Sequence, residues 1–145
     1  MKNTIKKIGI IAFVAIMALG LFTGCPEEPS DPPTPPTTIT ISGLTSGTPA
    51  NLSGKYVAVP LYKTTGPRIS TSYVRQISAA TQTWEVIDDN RNALTIDEPC
   101  NILIHVSETN NPATWTTYYM TSALKNITPG DNKLNFSEFT VYTQP

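Results

Sequence analysis

The side chains able to do chemistry are few and widely spaced. His105 is the sole histidine among 145 residues, so any serine–histidine–acid relay would have to run through it. No Gly-x-Ser-x-Gly elbow accompanies it. It alternates with aliphatic residues and therefore reads as an outward-facing strand histidine. Asp88, Asn90 and Asn92 have the one-three-five spacing of a calcium loop. The sixth position of such a loop should be glycine and is Ala93; the twelfth should be glutamate and is Pro99. Asp and Asn in this arrangement hydrogen-bond their own backbone, so the segment is expected to be a turn between strands. The acid pairs Asp88/Asp89 and Asp97/Glu98 are adjacent in sequence. Neighbours on an extended chain point apart, and nothing sets them across a cleft as glycoside hydrolysis requires. The expectation is a chain with no catalytic set, no metal site and no cofactor: not an enzyme.

Two cysteines remain, Cys25 and Cys100. Cys25 follows a distinctive start. Lys2, Lys6 and Lys7 give a positive leader without an acid, and Ile8 to Thr23 is a run of 16 uncharged, mostly apolar residues. That falls short of the roughly 20 needed to span a bilayer core and suits the apolar region of a cleavable signal. Small residues, Thr23 and Gly24, then precede Cys25. Leu21-Phe22-Thr23-Gly24-Cys25 resembles the lipobox of bacterial lipoproteins, with Leu21 one residue earlier than the common pattern and Phe22 in its place. The resemblance covers the first 25 residues only. It implies cleavage between Gly24 and Cys25 and diacylglycerol on the Cys25 sulfur. It also implies attachment to a membrane of the bacterial envelope, on the periplasmic side or the cell surface. Two or more acyl chains give stable anchoring where one is marginal. With Cys25 consumed in this way, Cys100 is left as a lone thiol, expected to be buried as a small apolar residue.

The chain carries 10 basic and 11 acidic side chains. Without the three leader lysines, seven basic groups face eleven acidic ones, a formal −4. The remaining cations form no stripe, which argues against nucleic acid as a partner. Residues 26–37, PEEPSDPPTPPT, hold six prolines and no large apolar residue. Such a segment buries too little to fold, and polyproline II at about 3.1 Å per residue makes it a semi-rigid stalk of roughly 35–40 Å. The organisation is thus residues 1–24 signal, 25–37 lipidated cysteine and spacer, and 38–145 a single domain.

The last 108 residues have to position whatever site exists. They are rich in threonine and in β-branched and aromatic residues, with glycines at turn positions. Period-two alternation is visible in Thr38–Ile41, Lys55–Tyr62, Thr83–Ile87, Pro99–Ser107, Thr114–Thr121 and Lys133–Tyr142, and a weaker segment runs from Ile69 to Ile77. Pro60 lacks an N–H and predicts an edge or a bulge. The parity switch at Ser137-Glu138 also predicts a bulge. No helical period is sustained. The fold expected is all-β: a single antiparallel sandwich of about seven or eight strands, immunoglobulin-like or transthyretin-like.

Aromatic side chains are the best lead to a ligand. Tyr56 and Tyr62 fall on the face assigned outward, and Trp115 and Tyr119 share one parity. Rings aligned on a sheet can stack on sugar rings or anchor a protein. The sequence therefore points to a lipid-anchored binding module for a protein or a glycan. The alternative is an accessory subunit of an envelope assembly that pairs through an edge strand.

Overall fold

Alternating β-branched and polar residues favour the pleated, half-buried surface of a strand. In the computed structural model, which describes residues 31–143, they build eleven short strands and no α-helix. These are β1 (Thr38–Ser42), β2 (Tyr56–Ala58), β3 (Leu61–Tyr62), β4 (Arg68–Ser70), β5 (Arg75–Gln76), β6 (Gln82–Glu85), β7 (Glu98–Ser107), β8 (Thr117–Thr121), β9 (Lys125–Ile127), β10 (Asp131–Asn135) and β11 (Phe139–Tyr142). Two 3-10 turns, Pro112–Thr114 and Phe136–Glu138, precede β8 and β11. The leader, Gly24 and Cys25 lie outside the described residues.

The architecture is all-β and sandwich-like, as the alternation predicts. One sheet has three strands in the order β10–β1–β6; the other, curled, has eight along the path β11–β8–β7–β2–β5, with β3, β4 and β9 joining from the side. β7 is the spine of the larger sheet and pairs with β2, β3, β8 and β9. One pairing departs from the antiparallel expectation: β1 runs parallel to β10, with Thr38 beside Asp131. Parallel neighbours need a long connection, and here the intervening chain supplies it.

The core lies between the sheets. Ile39, Ile41, Trp84 and Val86 enter from the small sheet; Val57, Val59, Leu61, Cys100, Ile102, Ile104, Phe136 and Phe139 enter from the large one, all buried. The outer face of the small sheet is polar. Thr40 Oγ1 lies 2.7 Å from Thr83 Oγ1 and donates to Asp131 at 2.6 Å. The fold takes in residues before the expected start at Thr38: the Pro36 carbonyl accepts from the Gly130 N–H at 3.3 Å. Thr37 is fully buried, its N–H donates to the Leu94 carbonyl at 2.8 Å, and its hydroxyl accepts from the Ile96 N–H at 2.8 Å. A buried threonine with every polar group bonded inside the domain is part of the fold.

The strand number rises above seven or eight because β9 is added, Ile69–Ile77 divides into β4 and β5, and two further segments divide at identifiable local features. Pro60 has no N–H to give, so the segment Lys55–Tyr62 is cut into β2 and β3. At the break the Val59 N–H donates to the Ser72 hydroxyl at 2.7 Å instead of to a ladder. The second is at Ser137-Glu138. The expected bulge is a 3-10 turn, and it carries the chain from the small sheet to the large one. Asn135 accepts from the Ser137 N–H at 2.9 Å while Glu138 accepts from the Asn135 N–H at 2.7 Å, a reciprocal capping box. Lys125 pairs with Glu138 and, with the Asn135 bond, holds its carboxyl below the usual range. Gly43, at φ +78°, packs so close to Asn135 that an added Cβ would meet its side-chain oxygen at 3.3 Å. Replacing Asn135 with alanine is expected to cost about 1 kcal/mol, the usual worth of a cap. A urea midpoint equal to that of the parent chain would contradict this.

Candidate functional site

In a strand successive side chains leave opposite faces. Cys100, Ile102, Ile104 and Val106 of β7 enter the core, so Asn101, Leu103 and His105 lie on the outer face of the large sheet. The register extends that face. His105 sits opposite Tyr118 of β8 and Ala58 of β2, and Tyr118 sits opposite Tyr142 of β11. Leu103 sits opposite Met120, and Asn101 opposite Tyr62 of β3. A row Ala58–His105–Tyr118–Tyr142 thus crosses four strands. Its floor is apolar: Leu103 and Ala58 are 7% and 5% exposed although they face away from the core.

Two concavities flank His105. One, of about 320 Å³, has the rings of Tyr62, Tyr118 and Tyr142 on its walls, Leu103 and Met120 beneath, and Lys63, Thr64, Gly66 and Asn101 around it. The other, of about 240 Å³, is bounded by Trp115, Val74, Pro60 and Ala58, with Arg68, Thr71 and Ser72 as its polar part. His105 lines both. Its ring meets Tyr118 edge-on at 4.9 Å between centroids and Trp115 at 5.7 Å. Such edge-to-face contacts suit the positive rim and negative face of aromatic rings. Burial, and then the Arg68 cation, push the His105 pKa down to about 4. The ring is therefore neutral near pH 7, with one nitrogen donating and the other accepting.

The aromatic residues singled out in the sequence are distributed unequally. Tyr62 lines the larger concavity and Trp115 the smaller. Tyr56 also faces outward, opposite Ser107, but borders neither. Tyr119 is a correction: it is 6% exposed and packs into the core, edge-on to Phe136 at 5.1 Å. Trp115 and Tyr119 do not share a face, because the 3-10 turn at Pro112–Thr114 delays the strand until Thr117. Asn111 caps that turn through the Ala113 N–H at 3.0 Å. Trp115 lies ahead of the alternation and folds over His105 instead.

Tyr118, Tyr142 and the wall role of His105 were missed. Parity already set Tyr118 with Met120 on the face opposite Tyr119; which face is core was decided by the partner strand, where Tyr119 meets Ile104. Asp88 is spent on its turn. Its carboxylate accepts from the Asn90 and Asn92 N–H groups, both at 2.8 Å, and from the Asn92 side-chain amide at 3.0 Å. The Asn92 bonds, side chain first, lower its pKa. Arg91 completes the turn at φ 69°. Cys100 is fully buried, and desolvation with the nearby Glu98 charge raises its thiol to about 11, which keeps it protonated and inert. No family model, curated protein or solved structure matches the chain, so the geometry itself has to carry any functional reading.

Proposed function

We propose that the chain is an exported bacterial lipoprotein, held on an envelope membrane through lipid on Cys25, whose β domain is a binding module. The observation that carries the binding role is the aromatic trough. Four partly open rings, Tyr62, Trp115, Tyr118 and Tyr142, stand over an apolar floor on one sheet face, with polar groups between them. An apolar concavity with a few converging polar groups is the usual form of a ligand site. The lipid anchor rests on the leader and the Leu21–Cys25 box; the proline-rich segment that follows supplies reach. Assembly through edge pairing has less support, because the strands with one free edge, β4, β5, β6, β9, β10 and β11, are only two to five residues long.

One experiment addresses both halves. The full chain is expressed in bacteria fed an alkyne palmitate analogue, purified in detergent and incubated with isolated envelope. Label is expected on the parent chain and not on Cys25→Ala; label persisting in that variant would overturn the anchor. Held on beads in detergent, so that its own lipid cannot insert, the chain is expected to retain at least tenfold less envelope material in Tyr62→Ala/Tyr142→Ala than in the parent. Undiminished retention would remove the trough as the binding surface.

A further inference from the structure

We propose that the trough takes an acidic oligosaccharide, a uronate-type chain that lies across His105 and occupies both concavities. This rests on the binding-module reading and names its ligand class. The first argument is charge. Two cations, Lys63 and Arg68, line the trough, one in each concavity, and among the described residues no carboxylate does. The chain as a whole is acidic once the leader lysines are set aside, so cations without acids are not its general surface character. Both are held from outside the trough: Lys63 lies 3.7 Å from Glu98, and Arg68 pairs with Asp89. Exposed pairs of this kind contribute little, so a ligand carboxylate can displace the protein's own at small cost.

The second argument is shape. The larger concavity, about 320 Å³, is at the lower end of the size of ligand sites, and the smaller, about 240 Å³, is below it. His105 joins them, so the trough suits a ligand with repeating units better than a single ring. The third is the kind of surface offered. Ring faces attract the C–H face of a sugar, whose hydrogens carry partial positive charge, by the electrostatics that favour edge-to-face contacts. Asn101, Thr64 and the neutral imidazole then supply donors and acceptors for hydroxyl groups. A peptide binding by strand addition needs unpaired backbone N–H and C=O groups. β7 offers none where it passes beneath the trough, since it is paired on both sides there, and the edge strand β11 at one end is only four residues long.

The test uses the full chain in detergent, titrated with tetragalacturonate, a hyaluronan tetrasaccharide, maltotetraose and a tetraglutamate peptide. Binding is followed by calorimetry and tryptophan emission; Trp84 is buried and Trp115 forms the wall. At least one acidic tetrasaccharide is expected to bind saturably, to shift the emission and to weaken with added salt. Its affinity is expected to fall at least tenfold in Tyr62→Ala and in Lys63→Gln/Arg68→Gln, with melting temperatures kept. Binding that these variants leave unchanged would overturn the proposal, as would equal binding of maltotetraose. Binding of tetraglutamate alone would overturn it in favour of a peptide and leave the binding module standing. If no probe binds, the oligosaccharide is wrong, and the envelope retention assay decides separately whether the trough binds anything.

Discussion

Truncation of Phe136 to alanine is expected to lower the stability of the domain by about 3–5 kcal/mol, the usual range for deleting a buried aromatic ring. The side chain is fully buried. Its ring lies edge-on to Tyr119 at 5.1 Å and tilted against Phe139 at 5.9 Å, contacts that add about 0.5–1.5 kcal/mol beyond area burial. Phe136 also opens the turn through which the chain passes from the three-stranded sheet to the eight-stranded one, so the cavity would lie where the two sheets are tied. A domain of this kind has a total stability of about 5–15 kcal/mol. The variant should therefore show a much lower urea midpoint and a reduced yield. Phe136→Leu, which keeps most of the volume, should recover the greater part. A midpoint for Phe136→Ala within experimental error of the parent chain would mean that the junction is not part of the cooperative core.

The second large effect is on pH dependence, and it runs through His105. In the unfolded chain the imidazole takes a proton near its ordinary 6.5; in the fold, burial and then the Arg68 cation hold it to about 4. Between those values the unfolded state binds more protons, so stability rises with pH across the window and is lost as pH falls from about 6.5 to about 4. The full shift corresponds to about 3 kcal/mol; with the ring partly open to water, about 1–2 kcal/mol is the expected loss. Asp88 and Glu138 act in the same direction at lower pH, because hydrogen bonds hold both below the usual carboxylate range. Subtracting the profile of His105→Gln from that of the parent isolates the histidine. The difference should change between pH 6.5 and 4 and be flat above 7. A difference that is flat throughout would show that the ring is as open to protons in the fold as in the unfolded chain. The groups around the ring are Arg68 from β4 and Tyr118 from β8, with Trp115 above, and none of them is acidic. Among the described residues no carboxylate lines either concavity to pair with the imidazolium once formed.

Much of the fold could be read from local alternation. That Cys100, Ile102, Ile104 and Val106 of β7 share one face follows from parity alone, as it does for Val57, Val59 and Leu61, because in a strand the period is fixed by backbone geometry. The turn at Asp88–Asn92 was equally legible, since Asp and Asn satisfy it with atoms only two to four residues apart. β9 was not. Its three residues, Lys125–Ile127, have no pattern of their own and are a strand only because β7 extends far enough to pair with them. The crossing at Phe136–Glu138 shows the same limit: the sequence marks a change of parity, but a bulge within one sheet and a turn between two sheets leave the same mark.

For the site, the sequence determined composition and the tertiary structure determined company. It specified one histidine, scattered cations, a single buried-type cysteine in the domain and a set of strand aromatics, and it carries the leader and box that point to Cys25. It did not determine which rings would meet. Tyr62, His105, Tyr118 and Tyr142 are separated by up to 80 residues and come together because β3, β7, β8 and β11 fall side by side in register. Tyr119 went to the core and Trp115 to the trough because a capped 3-10 turn set where the strand begins. Parity assigns a residue to one of two faces. Only the packing of the second sheet against one of them decides which is buried and which is left to meet a ligand.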